Sequence, residues 1–196
     1  MGSWLSTGSG FSLALAAIAL SGCAAHAKLP SYASVPDFSL TDQTGAKFNS
    51  GAALAGHVWI ADFMFTTCPG PCPRMSKQMS EVQDALQGTG ARMISLTVDP
   101  QHDTPAVLEK YAAFYHAHPG VWYFLTGDVK TLQLLDHDVF KLGEVDGSLD
   151  HSTRFVLVDR NSQVRGYYLT SEQDAIQHVI ADAKSLLKEK PVKAGL

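Results

Sequence analysis

Two cysteines in a proline-rich loop are the residues of this chain best suited to chemistry. Cys68 and Cys72 are separated by three residues in "TTCPGPCPRM", and a proline follows each of them. A pair at this spacing can form a disulfide, and its thiolates can act as nucleophiles or as soft metal ligands. The pair alone therefore leaves open a cycling disulfide, a static bridge and part of a metal site.

Other residues help to separate these possibilities. A static bridge is the least favoured, because a disulfide that closes so small a loop removes little entropy from the unfolded chain. Two thiolates make an incomplete copper site, which a histidine would complete. His151, in "DHSTRFVLVD", lies just before a predicted strand and is the candidate. If Cys72 lies in the first turn of a helix, the helix dipole should favour its thiolate.

The elements around the cysteine loop predict an α/β domain. The nearly continuous apolar run "HVWIADFMF", residues 57–65, predicts a strand buried on both faces. A helix should follow the loop, with Met75, Met79, Val82 and Leu86 on one face. A cysteine pair between a buried strand and a helix is the thioredoxin arrangement. We therefore expect a thioredoxin-like fold: a central mixed β-sheet flanked by helices, with an N-terminal β-hairpin over Pro36–Asn49.

The remaining segments extend this pattern. Strands are predicted over Arg92–Val98, over Val121–Gly127 and twice within Thr153–Leu169, with a short helix around Val129–Val139. A further helix should begin after the cap Thr104 with Pro105 in its first position. Its predicted apolar face is formed by Val107, Leu108, Tyr111, Phe114 and Tyr115. The last helix should begin with a capping box of Ser171 and Asp174.

The N-terminal residues indicate export and a lipid anchor. The first 22 residues carry no charged side chain, and the apolar run from Phe11 to Leu20 is too short to span a bilayer. "LSGC", ending at Cys23, resembles the bacterial lipoprotein signal, although the usual basic residue before the apolar run is missing. The predicted division is a signal peptide (residues 1–22), a lipidated cysteine and flexible tether (23–34), the domain (35–190) and a tail (191–196).

Four ordered motifs carry a family resemblance: "FTTCPGPCP", "TVDPQHDTP", "WYFLTG" and "DHSTRFVLVD". With them the chain resembles the Sco/SenC family of copper-binding, thioredoxin-fold proteins that serve cytochrome c oxidase. The resemblance implies that Cys68, Cys72 and His151 bind copper, as Cu(I) or Cu(II). It also implies a copper chaperone for the oxidase subunit that carries the Cu-A centre, with a copper donor or thiol reductant as a second partner.

Catalytic functions remain open beside copper delivery. In a thiol–disulfide reductase, Cys68 would attack a partner's disulfide and Cys72 would resolve the mixed disulfide. A peroxidase would need an arginine near the thiolate, for which Arg74 and Arg154 are candidates.

The expected location is the periplasmic side of a bacterial inner membrane. A net charge of -4 and a pI near 6.0 give no indication of a nucleic-acid partner.

Several other side chains are candidates near the site. Asp62, on the buried strand, either keeps a raised pKa and exchanges a proton with Cys72 or is a hydrogen-bonded structural carboxyl. Asp99 and Asp103 are expected to shape a loop and a helix start, with Asp99 a possible neighbour of the metal ligands. Two further pairs of residues are of types that bind metals. Met75 and Met79 are better explained as core residues, and His116 and His118 as residues at a helix end.

Overall fold

The computed structural model describes Met1 and residues 28–142 and 153–189, and a mixed β-sheet lies at the centre of this part of the chain. Its eight strands are β1 (Ala33–Ser34), β2 (Ser39–Asp42), β3 (Lys47–Asn49), β4 (Trp59–Met64), β5 (Arg92–Thr97), β6 (Trp122–Thr126), β7 (Arg154–Val158) and β8 (Gln163–Leu169). The helices are α1 (Ser50–Ala53), α2 (Pro71–Ala85), α3 (Pro105–Phe114), α4 (Val129–Gln133) and α5 (Ala175–Lys188), and a π-helical segment covers Leu134–Val139. The predicted mixed sheet, flanking helices and N-terminal hairpin are confirmed.

The strands lie in the order β1-β8-β7-β4-β5-β6-β2-β3. The central strands β4, β5 and β6 are parallel, and the other neighbouring pairs are antiparallel. Every residue of β4 is buried, as its apolar run predicted. Alternate side chains of β4 enter two apolar clusters: Ile60 and Met64 join α2, α3 and α5, whereas Trp59 and Phe63 join the π-helical segment. Asp62 shares the first of these faces with Ile60 and Met64.

The strand directions bring three connections to one edge of the sheet. Because β4, β5 and β6 are parallel, their carboxyl ends lie at the same edge, where the cysteine loop, residues 98–104 and Gly127 follow. Strand β7 runs antiparallel to β4, with Ala61 opposite Val156, so β7 begins at this edge. We call this edge the cysteine end. The turn between β7 and β8 lies at the opposite end, because Val158 pairs with Trp59 at the start of β4.

The described part of the predicted tether lies against the domain. Ala33 and Ser34 form β1, which pairs with Val164 and Gln163 at the end opposite the cysteine loop. Arg165, only 4% exposed, donates to the carbonyl oxygens of Leu29 and Pro30 at 2.7 and 2.8 Å. The same guanidinium donates to Asp159 at 2.7 Å and to Glu189 at 3.3 Å. The folded domain therefore includes residues 29–34, which the sequence assigned to the tether.

Two helix predictions were wrong in detail. Phe114 is 74% exposed, whereas Leu108 is buried and Ala112 is 5% exposed. Phe114 follows Ala112 by two positions, a rotation of about 200° in a helix with 3.6 residues per turn, so the two side chains lie on nearly opposite sides. The capping box of the last helix is absent, because α5 begins at Ala175 and the Asp174 side chain makes no capping hydrogen bond. By contrast, α3 begins at Pro105 after Thr104 as predicted, although the Thr104 side chain makes no capping hydrogen bond.

Candidate metal and redox site

The two cysteines lie on a turn and on the first turn of the helix that follows it. The Cys68 N–H donates to the carbonyl oxygen of Phe65 at 3.2 Å, which closes a turn after β4. Helix α2 begins at Pro71, so Cys72 is its second residue, as expected. Proline at the first helical position loses no helical hydrogen bond, and its fixed φ favours the start of the helix there. Cys68 is 8% exposed and Cys72 is fully buried.

Burial controls the acidity of the inner cysteine. Both residues are thiols with no disulfide between them, and the Cys72 thiol interacts with the Cys68 side chain. Burial raises the pKa of Cys72 far above its ordinary value; a hydrogen bond with the Phe65 backbone lowers it less, and Cys68 and Asp62 raise it further. Burial therefore opposes the stabilisation of the Cys72 thiolate that its position in the first turn of α2 predicts.

Asp62 is a buried carboxyl beneath the cysteines. Ser95 donates its hydroxyl to Asp62 Oδ1 at 2.6 Å, and Trp122 Nε1 donates to the same Ser95 oxygen at 2.9 Å. Asp62 Oδ2 is buried and has no hydrogen-bond partner among the described residues. Burial raises the pKa of Asp62 to about 7, against a smaller lowering by the Ser95 hydrogen bond. The raised pKa fits the first of the two interpretations of Asp62, and proton exchange with Cys72 stays a prediction.

Asp103 fixes the turn that carries Cys68, a role that the sequence did not assign to it. Its Oδ2 accepts from the Thr66 N–H at 3.1 Å and from the Thr97 hydroxyl at 2.6 Å. Its Oδ1 accepts from the Thr66 hydroxyl at 2.5 Å and contacts His102 Nδ1 at 3.1 Å. The buried carboxyl thus joins the cysteine turn to the end of β5. The signal in the sequence was the pair of threonines before Cys68, which offers hydroxyl donors to such an acceptor.

Asp99, the other aspartate of this loop, acts through its backbone. Its carbonyl oxygen accepts from the N–H groups of His102 and Asp103 at 3.2 and 2.8 Å, and its own N–H donates to Thr97 Oγ1 at 2.9 Å. These bonds shape the turn that brings Asp103 under the cysteine loop. A role for Asp99 beside metal ligands stays a prediction.

Thr153, just before β7, is connected to the cysteine helix α2 by Thr170, which forms hydrogen bonds with both. The Thr153 carbonyl oxygen accepts from the N–H and the hydroxyl of Thr170 at 2.9 and 2.7 Å. The Thr170 carbonyl oxygen in turn accepts from Gln78 Nε2 at 3.0 Å and from the guanidinium of Arg74, both on α2. The candidate ligand His151 precedes Thr153 by two residues and lies outside the described residues, as does the candidate lipid site Cys23. Within residues 28–142 and 153–189, no three His, Cys, Asp or Glu side chains are grouped as a metal site.

The remaining candidates have structural environments. Met75 and Met79 are fully buried in the apolar cluster, as expected of core residues. His116 follows the end of α3 with a positive φ of 56°, and its carbonyl oxygen accepts from Gln83. His118 is exposed and donates its backbone N–H to Gln83. In the part of the chain that the structure describes, no helix has the length and apolar character needed to cross a membrane.

Comparison with known proteins decides the family. A model of the SCO1/SenC family matches residues 27–188. The chain belongs to the SCO1/SenC family. The match includes the cysteine loop, the Asp103 loop and the beginning of β7, so the geometry described above is that of a Sco protein.

Three relatives in this family are informative. The structure of BsSco, described as a member of the Sco family of cytochrome c oxidase assembly proteins with a disulfide switch, is 32% identical, with a TM-score of 0.71 over 83% of this chain and 97% of that one. A SCO1/SenC family lipoprotein from Bacillus anthracis is 28% identical, with a TM-score of 0.72 over 79% of this chain and 95% of that one. A protein of Stutzerimonas stutzeri whose name refers to copper binding is 30% identical over 78% of each chain. The thioredoxin-like fold of Sco proteins is therefore the fold of this chain.

Proposed function

We propose that this Sco protein binds copper through Cys68, Cys72 and His151 and delivers it to the Cu-A centre of cytochrome c oxidase. The observation that carries the proposal is the contact between two buried thiols at the start of α2, in a chain of this family. Thiolates suit soft copper, and an imidazole extends the site to Cu(II). The copper-binding relative and the oxidase-assembly relative support the ion and the partner.

The beginning of β7 supports His151 as the third ligand. Thr153 is held to Thr170, to which Arg74 and Gln78 of the cysteine helix donate. Two residues of extended chain reach at most about 7 Å beyond Thr153. His151 therefore precedes, by two residues, a backbone position that is hydrogen-bonded through Thr170 to the cysteine helix.

Burial of the thiols shapes how copper would bind. A thiolate in an apolar cluster is costly, as the raised pKa of Cys72 indicates. A bound cation compensates for the negative charge, so each ion that binds must displace a proton from Cys72. Oxidation of the pair to a disulfide removes both thiolates, so the same cysteines would control binding by their redox state.

A lipid on Cys23 would hold the domain with its cysteine end away from the membrane. The segment Leu29–Ser34 is fixed by Arg165 and by β1 at the end opposite the cysteine loop. Strand β4, with six residues, separates the two ends by about 20 Å. The relative described as a lipoprotein supports a lipid anchor, and we propose that the anchored domain lies on the periplasmic side of a bacterial inner membrane.

Copper affinity and oxidase assembly test the proposal together. The reduced chain from Ala24 onward would compete with a chromophoric chelator for Cu(I), beside Cys68→Ser, Cys72→Ser and the core variant Ser76→Ala as a control. We expect one tightly bound ion, lost in either cysteine variant and kept in the control. Cells lacking the gene should recover cytochrome c oxidase activity with the parent gene and not with either cysteine variant. Tight Cu(I) binding that persists in both cysteine variants would contradict the proposal.

A thiol–disulfide reductase is the second candidate. The disulfide switch described for BsSco favours it, and so does the greater exposure of Cys68, the residue that would attack. In that case Cys72→Ser should accumulate a mixed disulfide with a partner protein, and His151→Ala should reduce partner disulfides as the parent does. The absence of a trapped partner in Cys72→Ser, with copper binding intact in the parent, would contradict this candidate.

A further inference from the structure

His102 is an exposed imidazole whose orientation is fixed at the cysteine end. Its side chain is 50% exposed, whereas the neighbouring Asp103 is fully buried. Its Nδ1 lies 3.1 Å from Asp103 Oδ1 and 3.4 Å from the Thr66 hydroxyl oxygen. A carboxylate oxygen accepts hydrogen bonds, so this contact favours the tautomer with its proton on Nδ1, in which Nε2 has a lone pair for a metal ion. A carboxylate behind an imidazole orients the ring and increases the basicity of the other nitrogen toward a metal ion.

The position of His102 relates it to the cysteines without making it a ligand shared with them. Thr66 belongs to the turn from Phe65 to Cys68, so the His102 ring contacts the turn that carries Cys68. Among the described residues, His102, Cys68 and Cys72 do not form a group of three that could hold one metal ion. In this arrangement an ion therefore binds at His102 or at the thiols, and not at both at once.

We propose that His102 is an outer copper ligand that captures an incoming ion and passes it to Cys68 and Cys72. This inference rests on the proposed function. Cys68 is 8% exposed and Cys72 is fully buried, so an ion that meets the surface finds little thiol to bind. The ring of His102 is accessible to an incoming ion, and an ion held there has a high effective concentration at the cysteine turn.

The chain provides a matched control for this histidine. His137 also contacts the carboxyl of the next residue, with its Nδ1 3.0 Å from Asp138 Oδ1, and its side chain is 49% exposed. It belongs to the π-helical segment, which packs on the opposite face of the sheet from α2. The two pairs thus share a half-exposed ring in contact with the next residue's carboxyl. They differ in the burial of that carboxyl, since Asp103 is fully buried and Asp138 is 62% exposed, and in their relation to the cysteines.

The rate at which copper enters the site tests the inference. The reduced chain would be mixed rapidly with Cu(II), and the thiolate-to-copper charge-transfer absorption followed for the parent, His102→Ala, His102→Gln and His137→Ala. We expect both His102 variants to fill the site at least severalfold more slowly, with unchanged final absorption and equilibrium affinity. His137→Ala should behave as the parent. Filling at the parental rate in both His102 variants would overturn the inference, and so would loss of the final absorption, since His102 would then be a resident ligand.

A second measurement does not depend on the thiols. In the double variant Cys68→Ser, Cys72→Ser, substoichiometric Cu(II) should broaden the NMR signals of the His102 ring before those of the His137 ring. Equal broadening of the two rings would overturn the inference. A parent chain that forms no coloured complex would refute the proposed function and the inference with it. A parent that binds copper while the His102 variants fill at the same rate would refute the inference alone.

Discussion

The buried carboxyl of Asp62 should make the domain less stable as the pH rises toward neutrality. Its pKa is raised from 3.8 to about 7 in the folded chain, because it is fully buried. Between these pH values the folded state keeps a proton that the unfolded state has lost. Stability that is present below about pH 4 is therefore lost progressively up to about pH 7, and the raised pKa corresponds to about 4 kcal/mol, as an order of magnitude.

Asp62→Asn removes this titration while keeping an acceptor for Ser95. The amide oxygen can accept the Ser95 hydroxyl, which lies 2.6 Å from Oδ1 in the parent. The amide N–H groups would occupy the position of the unpartnered Oδ2, at a cost of about 1 to 3 kcal/mol that does not depend on pH. We therefore expect the stability of the variant relative to the parent to rise by about 4 kcal/mol from about pH 4 to about pH 8.

Urea unfolding of the reduced parent and variant across this pH range measures that difference. The difference between their free energies of unfolding, plotted against pH, isolates Asp62, because the contributions of the other titrating groups cancel. Asp136→Asn is a matched control: Asp136 is 9% exposed, and burial raises its pKa to about 6. Its difference curve should level off about one pH unit earlier than that of Asp62→Asn. Parallel curves for Asp62→Asn and the parent would refute the assignment of a buried, protonated carboxyl at position 62.

Three further predictions concern the cysteines, their support and the N-terminal segment. Iodoacetamide at about pH 8 should modify Cys68 faster than Cys72, because Cys72 is fully buried and burial raises its pKa; equal rates measured by mass spectrometry would contradict this. Asp103→Ala should destabilise the chain by about 2 to 4 kcal/mol in urea unfolding and weaken copper binding, since several donors lose their acceptor; a change in neither property would count against it. Arg165→Met should cost about 3 to 5 kcal/mol, because it leaves Asp159 buried without its partner, and it should expose residues 28–34 to proteases; an unchanged cleavage pattern would contradict the N-terminal contact.

The elements that position the site could be predicted from local patterns. The apolar run of β4, the helical face of Met75 and Met79, and the turn signals of the hairpin each depend on neighbouring residues, so they are readable in the sequence. The position of Cys72 in the first helical turn could have been predicted in the same way, because Pro71 favours the first position of a helix. Exposure of Phe114 could have been predicted too, since a step of two positions from the buried Ala112 turns it by about 200° to the far side of α3.

The electrostatics of the site depend on distant parts of the chain. The raised pKa of Cys72 reflects the desolvation of its thiol within a buried apolar cluster, which the helix-dipole argument did not take into account. The contact between Asp103 and Thr66 joins residues 37 positions apart, and no local spacing indicates it. The attachment of Pro30 to Arg165 joins residues 135 positions apart, so the composition of the segment alone suggested a flexible tether.

The most direct test of the account is a Cu(II) titration of the reduced chain from Ala24 onward, beside His151→Ala and the control His137→Ala. The account predicts one tight equivalent with an intense thiolate-to-copper absorption in the parent and in the control. The same absorption should be lost in His151→Ala, whose thiols remain available to a thiol reagent. A coloured complex in His151→Ala equal to that of the parent would contradict the assigned ligands. Oxidation of Cys68 and Cys72 to a disulfide, with no coloured complex in any of the three proteins, would contradict the copper site itself.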